Sequence, residues 1–198
     1  MNYNEFFELR RENFRLPRWE ELPDIELYMD QVITLMGKYF EKFSSKEVAL
    51  LTPSMINNYV KNNIIPAPVK KKYSRTHLFR LIIICVMKQV LPINDIGALI
   101  ETMLKTRSEA EVLNLFSEQY EEEFLKTMEV LRKNTEKRSG EPKEALLSFS
   151  VMHAAAIAGG STFYAEFALD ELKKTLAPAE EAPEEPKKSA KKPQPRKS

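Results

Sequence analysis

The 198-residue sequence predicts an all-α fold, and three observations support this prediction. Apolar residues recur at intervals of three and four from Asp24 to Phe43. Two longer stretches, at about 107–137 and 143–175, have the same character and are separated by turn-forming residues at 138–142. Thr52 before Pro53, and later Ser74, are typical of the first residues of helices. Helices are therefore expected over most of the chain.

The first of these segments predicts a long amphipathic helix. Asp24 suits the N-cap, and the positions that follow it with helical spacing are apolar: Ile25, Tyr28, Met29, Val32, Ile33, Met36, Tyr39, Phe40 and Phe43. Residues 1–23 precede this helix, mix aromatic residues with arginines and end at Pro23. They are interpreted as a separate N-terminal segment.

Charge is distributed unevenly along the chain. The net charge is only +1, yet the stretch from Val48 to Asn94 has seven basic residues and no Asp or Glu. The seven are Lys61, Lys70, Lys71, Lys72, Arg75, Arg80 and Lys88. Such a block is typical of a surface that binds a polyanion. The alternative is a solvated face, because local clusters of one sign also arise in chains with 30% charged residues.

The start of the basic block predicts a short polar helix over residues 52–62. Ile56, Tyr59 and Val60 share one face of this helix, and four polar residues occupy the other: Ser54, Asn57, Asn58 and Lys61. Amide and hydroxyl groups can bond base edges or phosphate oxygens, and an ammonium group can neutralise a phosphate. The polar face therefore suits the major groove of double-stranded DNA.

A basic loop follows this helix. Asn63 tolerates the left-handed conformation that ends a helix, and Pro66 and Pro68 favour an extended chain. The loop 69–73 then places three adjacent cations before an aromatic residue: Lys70, Lys71, Lys72 and Tyr73. A strongly apolar helix begins after Ser74 and is predicted to be the central core helix. This order of helix, basic loop and helix is typical of a winged helix-turn-helix.

Three segments resemble the MerR-type winged helix-turn-helix. Residues 55–66 resemble its recognition helix and exit, residues 73–81 the segment after its wing, and residues 92–96 the start of its fourth helix. More closely, residues 16–101 resemble a bacterial family catalogued as domain of unknown function 1836. The resemblance implies a MerR-like DNA-binding domain over residues 24–104. It also implies DNA-contacting roles for Lys61, Lys70, Lys71, Lys72, Tyr73 and Arg75.

The sequence departs from the MerR pattern at three points. Asn57 and Asn58 replace an Arg-Tyr pair, Asn63 replaces the turn glycine, and no first helix is evident immediately before Thr52. These departures favour an alternative function, a protein interaction or adaptor module that keeps the fold without binding DNA. The leading hypothesis remains a DNA-binding transcriptional regulator that uses residues 52–62 and 69–73.

The region 105–176 allows two interpretations. Its first helix has one apolar stripe: Leu113, Phe116, Tyr120, Phe124, Met128 and Leu131. The resemblance implies that a helix in this position pairs two subunits of a homodimer in an antiparallel coiled coil. Alternatively, the stripe packs on the last helix within one chain. That helix is rich in small residues from Ala154 to Ser161, and Gly159 with Gly160 could divide it. Residues 177–198 are predicted to be a disordered tail.

No enzymatic chemistry is evident in the sequence. Its five glycines are not spaced as a phosphate-binding loop, and two histidines with one cysteine are too few for a metal or nucleophile site. Cys85 and His153 lie in apolar runs and are predicted to be core residues. We therefore predict no catalytic residue, metal or cofactor, and the sequence identifies no small-molecule effector. A lone cysteine, no signal-like N-terminus and apolar runs shorter than about 20 residues predict a cytoplasmic protein without a membrane partner.

Overall fold

The structure is a computed structural model, and it describes residues 14–41 and 51–176. The described residues form six α-helices: α1 Met29–Phe40, α2 Pro53–Lys61, α3 Arg75–Met87, α4 Ile93–Leu104, α5 Glu109–Glu136 and α6 Lys143–Leu176. Two short strands, β1 Leu27–Tyr28 and β2 Lys72–Tyr73, form an antiparallel sheet. The predicted helical fold is confirmed, with this small sheet as an addition. The predicted disordered tail and the position of Phe43 lie outside the described residues.

Helix α3 is the centre of the core, as predicted. Every residue from His77 to Val86 is buried, because the other helices of the domain surround this helix. Cys85 lies within this run, and burial raises the pKa of its thiol to about 12. The thiol is therefore protonated at neutral pH and is unsuited to nucleophilic or metal chemistry.

The first long helix begins later than predicted. Residues 24–28 are not helical, and Leu27 and Tyr28 pair instead with Tyr73 and Lys72. The N–H group of Tyr28 donates a hydrogen bond of 2.8 Å to the side chain of Gln31, which caps the helix at its true start. The prediction of a helix from Asp24 was wrong because pairing with β2 outweighs the local helical spacing.

Residues 14–22, the described part of the N-terminal segment before Pro23, pack along α5. The Arg18 guanidinium donates two hydrogen bonds of 2.8 and 2.7 Å to the Glu121 carboxylate, which also accepts the N–H of Leu16 at 2.7 Å. The Trp19 N–H donates to the Asn114 side chain at 2.8 Å. We call these contacts the N-terminal clamp. The core consequently extends beyond the predicted domain range 24–104 and includes four further residues: Leu16, Leu22, Val112 and Leu113.

Helices α5 and α6 form a long antiparallel hairpin. Ser108 and Glu111 form a capping box at the start of α5, and α6 continues without interruption through Gly159 and Gly160. Near the turn the two helices are joined by polar contacts, at 3.2 Å between the hydroxyl oxygens of Thr135 and Ser150 and at 3.3 Å between Asn134 Nδ2 and His153 Nδ1. His153 is therefore a half-buried interhelical residue and not a core residue as predicted.

Helix α6 is long and apolar enough to cross a membrane, judged by length and composition alone. Its most apolar 18-residue window has a mean hydropathy of 1.3, and only 6% of that window is buried. The sequence prediction counted uninterrupted apolar runs, which serine, threonine and glycine residues break in this helix. The helix as a whole is nonetheless apolar, because those residues carry no charge.

Candidate nucleic-acid interface

Helix α2 presents one buried and one polar face, as its sequence period predicts. The Thr52 hydroxyl accepts a hydrogen bond of 3.2 Å from the N–H of Met55, and Pro53 occupies the first helical position. Ile56 and Tyr59 are buried against the core. The four polar residues of the opposite face are all exposed: Ser54, Asn57, Asn58 and Lys61. No acidic residue lies within this helix.

The end of α2 is fixed by backbone geometry. Asn63 adopts the left-handed conformation with φ of 56°, as predicted for the residue after the helix. The Ile64 N–H bonds to the Tyr59 carbonyl at 2.9 Å, and the Asn63 N–H bonds to the Val60 carbonyl at 3.0 Å. Together these bonds form a Schellman motif, which directs the chain away from α2 towards the basic loop.

The two neighbouring asparagines of the polar face differ in the hydrogen bonds of their side-chain amides. The side-chain oxygen of Asn58 accepts a hydrogen bond of 3.0 Å from the amide of Asn62, so it is already engaged at the C-terminal end of the helix. Asn57 lies one position earlier in the helix, is exposed and is not one of the two residues that form this contact. A bidentate contact to a base edge requires both the oxygen and the NH₂ of an amide. Asn57 is therefore the better candidate for reading a base.

The predicted loop 69–73 contains a tight hairpin, which we call the basic hairpin (residues 69–72). The Val69 N–H bonds to the Lys72 carbonyl at 3.1 Å, and the Lys72 N–H bonds to the Val69 carbonyl at 2.9 Å. Lys70 and Lys71 form the tip with φ of 50° and 65°. Two successive positive φ angles are the mark of a type I′ turn, where Asn-Gly is preferred. Lysine at both positions is strained, and both side chains are exposed.

Tyr73, one of the predicted DNA contacts, is buried, and Arg75, another, is half-buried. Tyr73 is 3% exposed and packs edge-on against His77, with 5.3 Å between the ring centroids. Arg75 donates to the Leu22 carbonyl at 2.8 Å and lies 5.4 Å from the centre of the Trp19 ring. These side chains therefore connect β2 and the start of α3 with residues 19–22 of the N-terminal segment.

Two more cations of the basic block are buried or half-buried. Arg80 is 7% exposed and bonds to the Glu101 carboxylate at 2.6 Å. Lys72 is half-buried, with its ammonium group 5.6 Å from the centre of the Tyr28 ring. The seven basic residues of the block from Val48 to Asn94 therefore include three exposed ones in α2 and the basic hairpin: Lys61, Lys70 and Lys71. The sequence could not separate exposed from buried basic residues, because charge alone does not indicate burial.

Helix α3 fastens the connection between α2 and the basic hairpin. Arg80 lies 3.4 Å from the carbonyl of Ile64, and His77 accepts the N–H of Ser74 at 2.9 Å on its Nδ1 atom. Burial lowers the pKa of His77, and the nearby backbone of Ala67 and Pro66 acts in the opposite direction. Neutral His77 therefore fits the folded structure better than the protonated form.

This environment predicts a pH-dependent stability. Because the pKa of His77 is lower in the folded than in the unfolded chain, the unfolded chain binds the extra proton as the pH falls below about 6.5. We expect the free energy of unfolding, measured with urea, to fall between pH 7 and 5. His77→Gln should flatten this dependence, whereas His153→Gln is the matched control and should retain it. Identical pH profiles for wild type and His77→Gln would contradict the assignment.

Helix α2 and the basic hairpin lie within a segment of the chain that matches a known protein family. A family model described as a domain of unknown function (DUF1836) matches residues 17–124. The chain belongs to this family. The matched range includes Arg18, Trp19 and their α5 partners in the N-terminal clamp, α1 to α4 and the first half of α5. No curated protein and no solved structure matches the chain.

The segment matched by the family model ends within α5. Phe124 is the last matched residue, and its ring stacks on that of Phe14 with 3.3 Å between the centroids. The rest of the hairpin of α5 and α6 lies beyond the DUF1836 segment. Within residues 14–41 and 51–176, no group of three or more His, Cys, Asp or Glu side chains could hold a metal ion.

Proposed function

We propose that this DUF1836 protein is a cytoplasmic, DNA-binding transcriptional regulator with a MerR-like winged helix-turn-helix. Helix α2 enters the major groove, and the basic hairpin lies along the phosphate backbone. The observation that carries the proposal is the acid-free polar face of α2, followed eight residues later by a hairpin whose two tip residues are lysines. A strained tip of this composition is explained by a requirement for positive charge at that place.

The order of elements supports the MerR-like part of the proposal. A strand, two helices, a hairpin and a core helix follow one another, and β1 pairs with β2 beside the hairpin. Strand β2 of the hairpin packs on α1 and α3, and α1 also contacts α2. The proposed contact set comprises Ser54, Asn57, Asn58, Lys61, Lys70, Lys71 and Lys72. Tyr73 and Arg75 become supporting residues of this surface.

One observation favours the alternative, an adaptor module that binds protein. Arg75 and Arg80 are engaged inside the molecule, so the electrostatic attraction for a polyanion is weaker than the sequence suggests. An amide-rich helix face with few charges also suits a protein partner. DNA affinity measured against salt separates the two functions.

The test is fluorescence anisotropy of the full-length chain with labelled duplexes, including the region upstream of its own gene, across a salt series. We expect one duplex to bind much more tightly than the others, with a slope of log K against log[salt] of about −3, as three to four phosphate contacts give. A chain ending at residue 176 is the control for nonspecific attraction by the basic tail. Weak and equal binding to all duplexes would contradict the proposal and favour the adaptor.

Asn57 provides a test of base reading. If its amide bonds a base edge, Asn57→Ala should reduce discrimination at one base pair by about 1–3 kcal/mol, while the salt slope stays unchanged. Lys61→Ala is the matched comparison on the same helix face, and it should weaken binding to all duplexes and lower the slope by about 1. Discrimination unchanged in Asn57→Ala would remove this residue from the contact set.

A further inference from the structure

Helices α3, α4 and α5 enclose an apolar pocket with a volume of about 260 Å³. Its floor is buried and consists of Ile83, Ile100 and Val112. Half-buried side chains form its walls, among them Met87, Met103 and Phe116. Protein interiors contain few voids larger than a water molecule. A preformed apolar pocket of this size is therefore typical of a ligand-binding site.

We propose that this pocket binds a small, uncharged aromatic molecule of one or two rings, whose single polar group bonds to Gln119. A cavity of about 150 Å³ lined by aliphatic and aromatic side chains holds benzene, so a volume of about 260 Å³ suits a two-ring compound. The same volume is too small for a helix of a partner protein, which is about 10–12 Å wide with its side chains. The lining residues belong to α3, α4 and α5, so the proposal does not depend on DNA binding by α2 and the basic hairpin.

The walls of the pocket favour a flat ring over an alkyl chain. Met87 and Met103 have flexible thioether side chains, which adapt to the shape of a ligand and make favourable contacts with aromatic rings. The Phe116 ring stacks on Tyr120, with 6.1 Å between the centroids and 11° between the ring planes, and this contact fixes its orientation. A ligand ring beside Phe116 would add a further aromatic pair. An alkyl chain would gain neither kind of contact.

The lining also favours an uncharged ligand. None of the nine lining residues carries a charge, so a charged group of the ligand would lose its water without gaining an ionic partner. The charged residues directly next to lining positions in the sequence have both signs: Lys88, Glu101, Glu111 and Glu118. Three of these four are acidic, so the surroundings do not attract a carboxylate either.

Gln119 supplies the polar contact of the lining. Its NH₂ group donates a hydrogen bond of 3.3 Å to the Glu123 carboxylate. The carbonyl oxygen of the same amide can accept a hydrogen bond from a hydroxyl group or a ring N–H group of the ligand. Because Gln119 is exposed, the polar group of the ligand stays near water while its rings enter the pocket. A phenol has this combination of an apolar ring and one donor.

The first test is isothermal titration calorimetry of the full-length protein with 2-naphthol, which has two rings, one hydroxyl group and no charge at pH 7. We expect a dissociation constant in the micromolar range. 2-Naphthoate has the same rings with a carboxylate, and it should bind about tenfold more weakly or worse. Absence of 2-naphthol binding, or equal affinity for the two compounds, would overturn the proposal.

The second test locates the probe by NMR of the full-length protein with ¹³C-labelled methionine methyl groups. 2-Naphthol should shift the resonances of Met87 and Met103. Met36, which is buried in the core, and Met152, which is exposed on α6, are internal controls and should not shift. A shift at Met152 alone would place the probe on α6 and contradict the proposal. Shifts of Met87 and Met103 with protein concentration, before the probe is added, would assign the pocket to a side chain of a second copy instead.

Two variants test the pocket and its polar contact separately. Leu99→Trp adds volume at a half-buried lining position and should weaken 2-naphthol binding about tenfold or more. Leu125→Trp, an exposed change on α5 outside the lining, is the matched control and should not alter the affinity. Gln119→Leu should weaken 2-naphthol binding about three- to tenfold and leave naphthalene binding unchanged. Undiminished affinity in Leu99→Trp, or equal losses for 2-naphthol and naphthalene in Gln119→Leu, would refute the assignment.

Discussion

We expect Lys70→Asn combined with Lys71→Gly to weaken the proposed DNA binding and at the same time to stabilise the fold. Both lysines have positive φ angles in the type I′ turn, where Asn-Gly is strongly preferred. Relief of this strain should raise the free energy of unfolding by about 1–2 kcal/mol. Loss of two phosphate contacts should lower affinity roughly 10- to 30-fold at 0.15 M salt and reduce the salt slope by about 2.

The double variant is informative because its affinity for DNA should fall while its free energy of unfolding should rise. A variant that binds DNA less well because it is damaged would also lose stability. The measurements are urea unfolding and anisotropy titration on the same preparation. Lys126→Gln with Lys133→Gln removes the same charge from exposed positions on α5 and should leave the affinity for DNA nearly unchanged. Unaltered DNA affinity in the hairpin variant would show that the basic hairpin does not contact DNA.

Glu121→Gln will destabilise the fold more than the loss of an exposed carboxylate elsewhere on α5. The Glu121 carboxylate accepts three hydrogen bonds, two from Arg18 and one from the backbone of Leu16. The side chains of Arg18 and Glu121 are only 21% and 17% exposed. Arg18 has a raised pKa, chiefly because of its hydrogen bond to Glu121, and stays charged after the substitution. Because the pair is partly solvated, we expect a cost of about 2–3 kcal/mol, below that of a fully buried pair.

The single tryptophan reports on this region directly. Trp19 lies in the N-terminal clamp, so its fluorescence during urea unfolding follows the contact between the clamp and α5. Glu122→Gln is the matched control at the next position, because the ion pair of Glu122 with Lys126 is exposed and should contribute less than about 1 kcal/mol. Equal losses in the two variants would contradict the importance of the clamp.

Much of the helical structure could be predicted from the sequence because its signals are local. Thr52 with Pro53 marks the start of α2, and Asn63 marks its end. The exposed face of α2 follows from helical periodicity, which depends only on residues three and four positions apart. The central position of α3 follows in the same way from its continuous apolar run. Each of these features was predicted correctly because neighbouring residues are sufficient to determine it.

Other features depended on residues far apart in the sequence. The strand at Leu27 exists only because β2 lies beside it, and Arg18 meets Glu121 across more than one hundred residues. In the sequence, Arg75 belongs to a basic block. In the folded chain, its guanidinium donates a hydrogen bond to the carbonyl group of Leu22. The tip of the basic hairpin adopts a turn that its own residues disfavour, because pairing of Val69 with Lys72 imposes it.

The sequence by itself therefore determined which segments are helical and which face of α2 is polar. Only the tertiary structure decided which cations remain exposed and which side of α6 is exposed. The physical reason is that helix capping and periodicity are short-range effects. Burial, strand pairing and the partner of a charged group are instead set by contacts that form only when the chain folds.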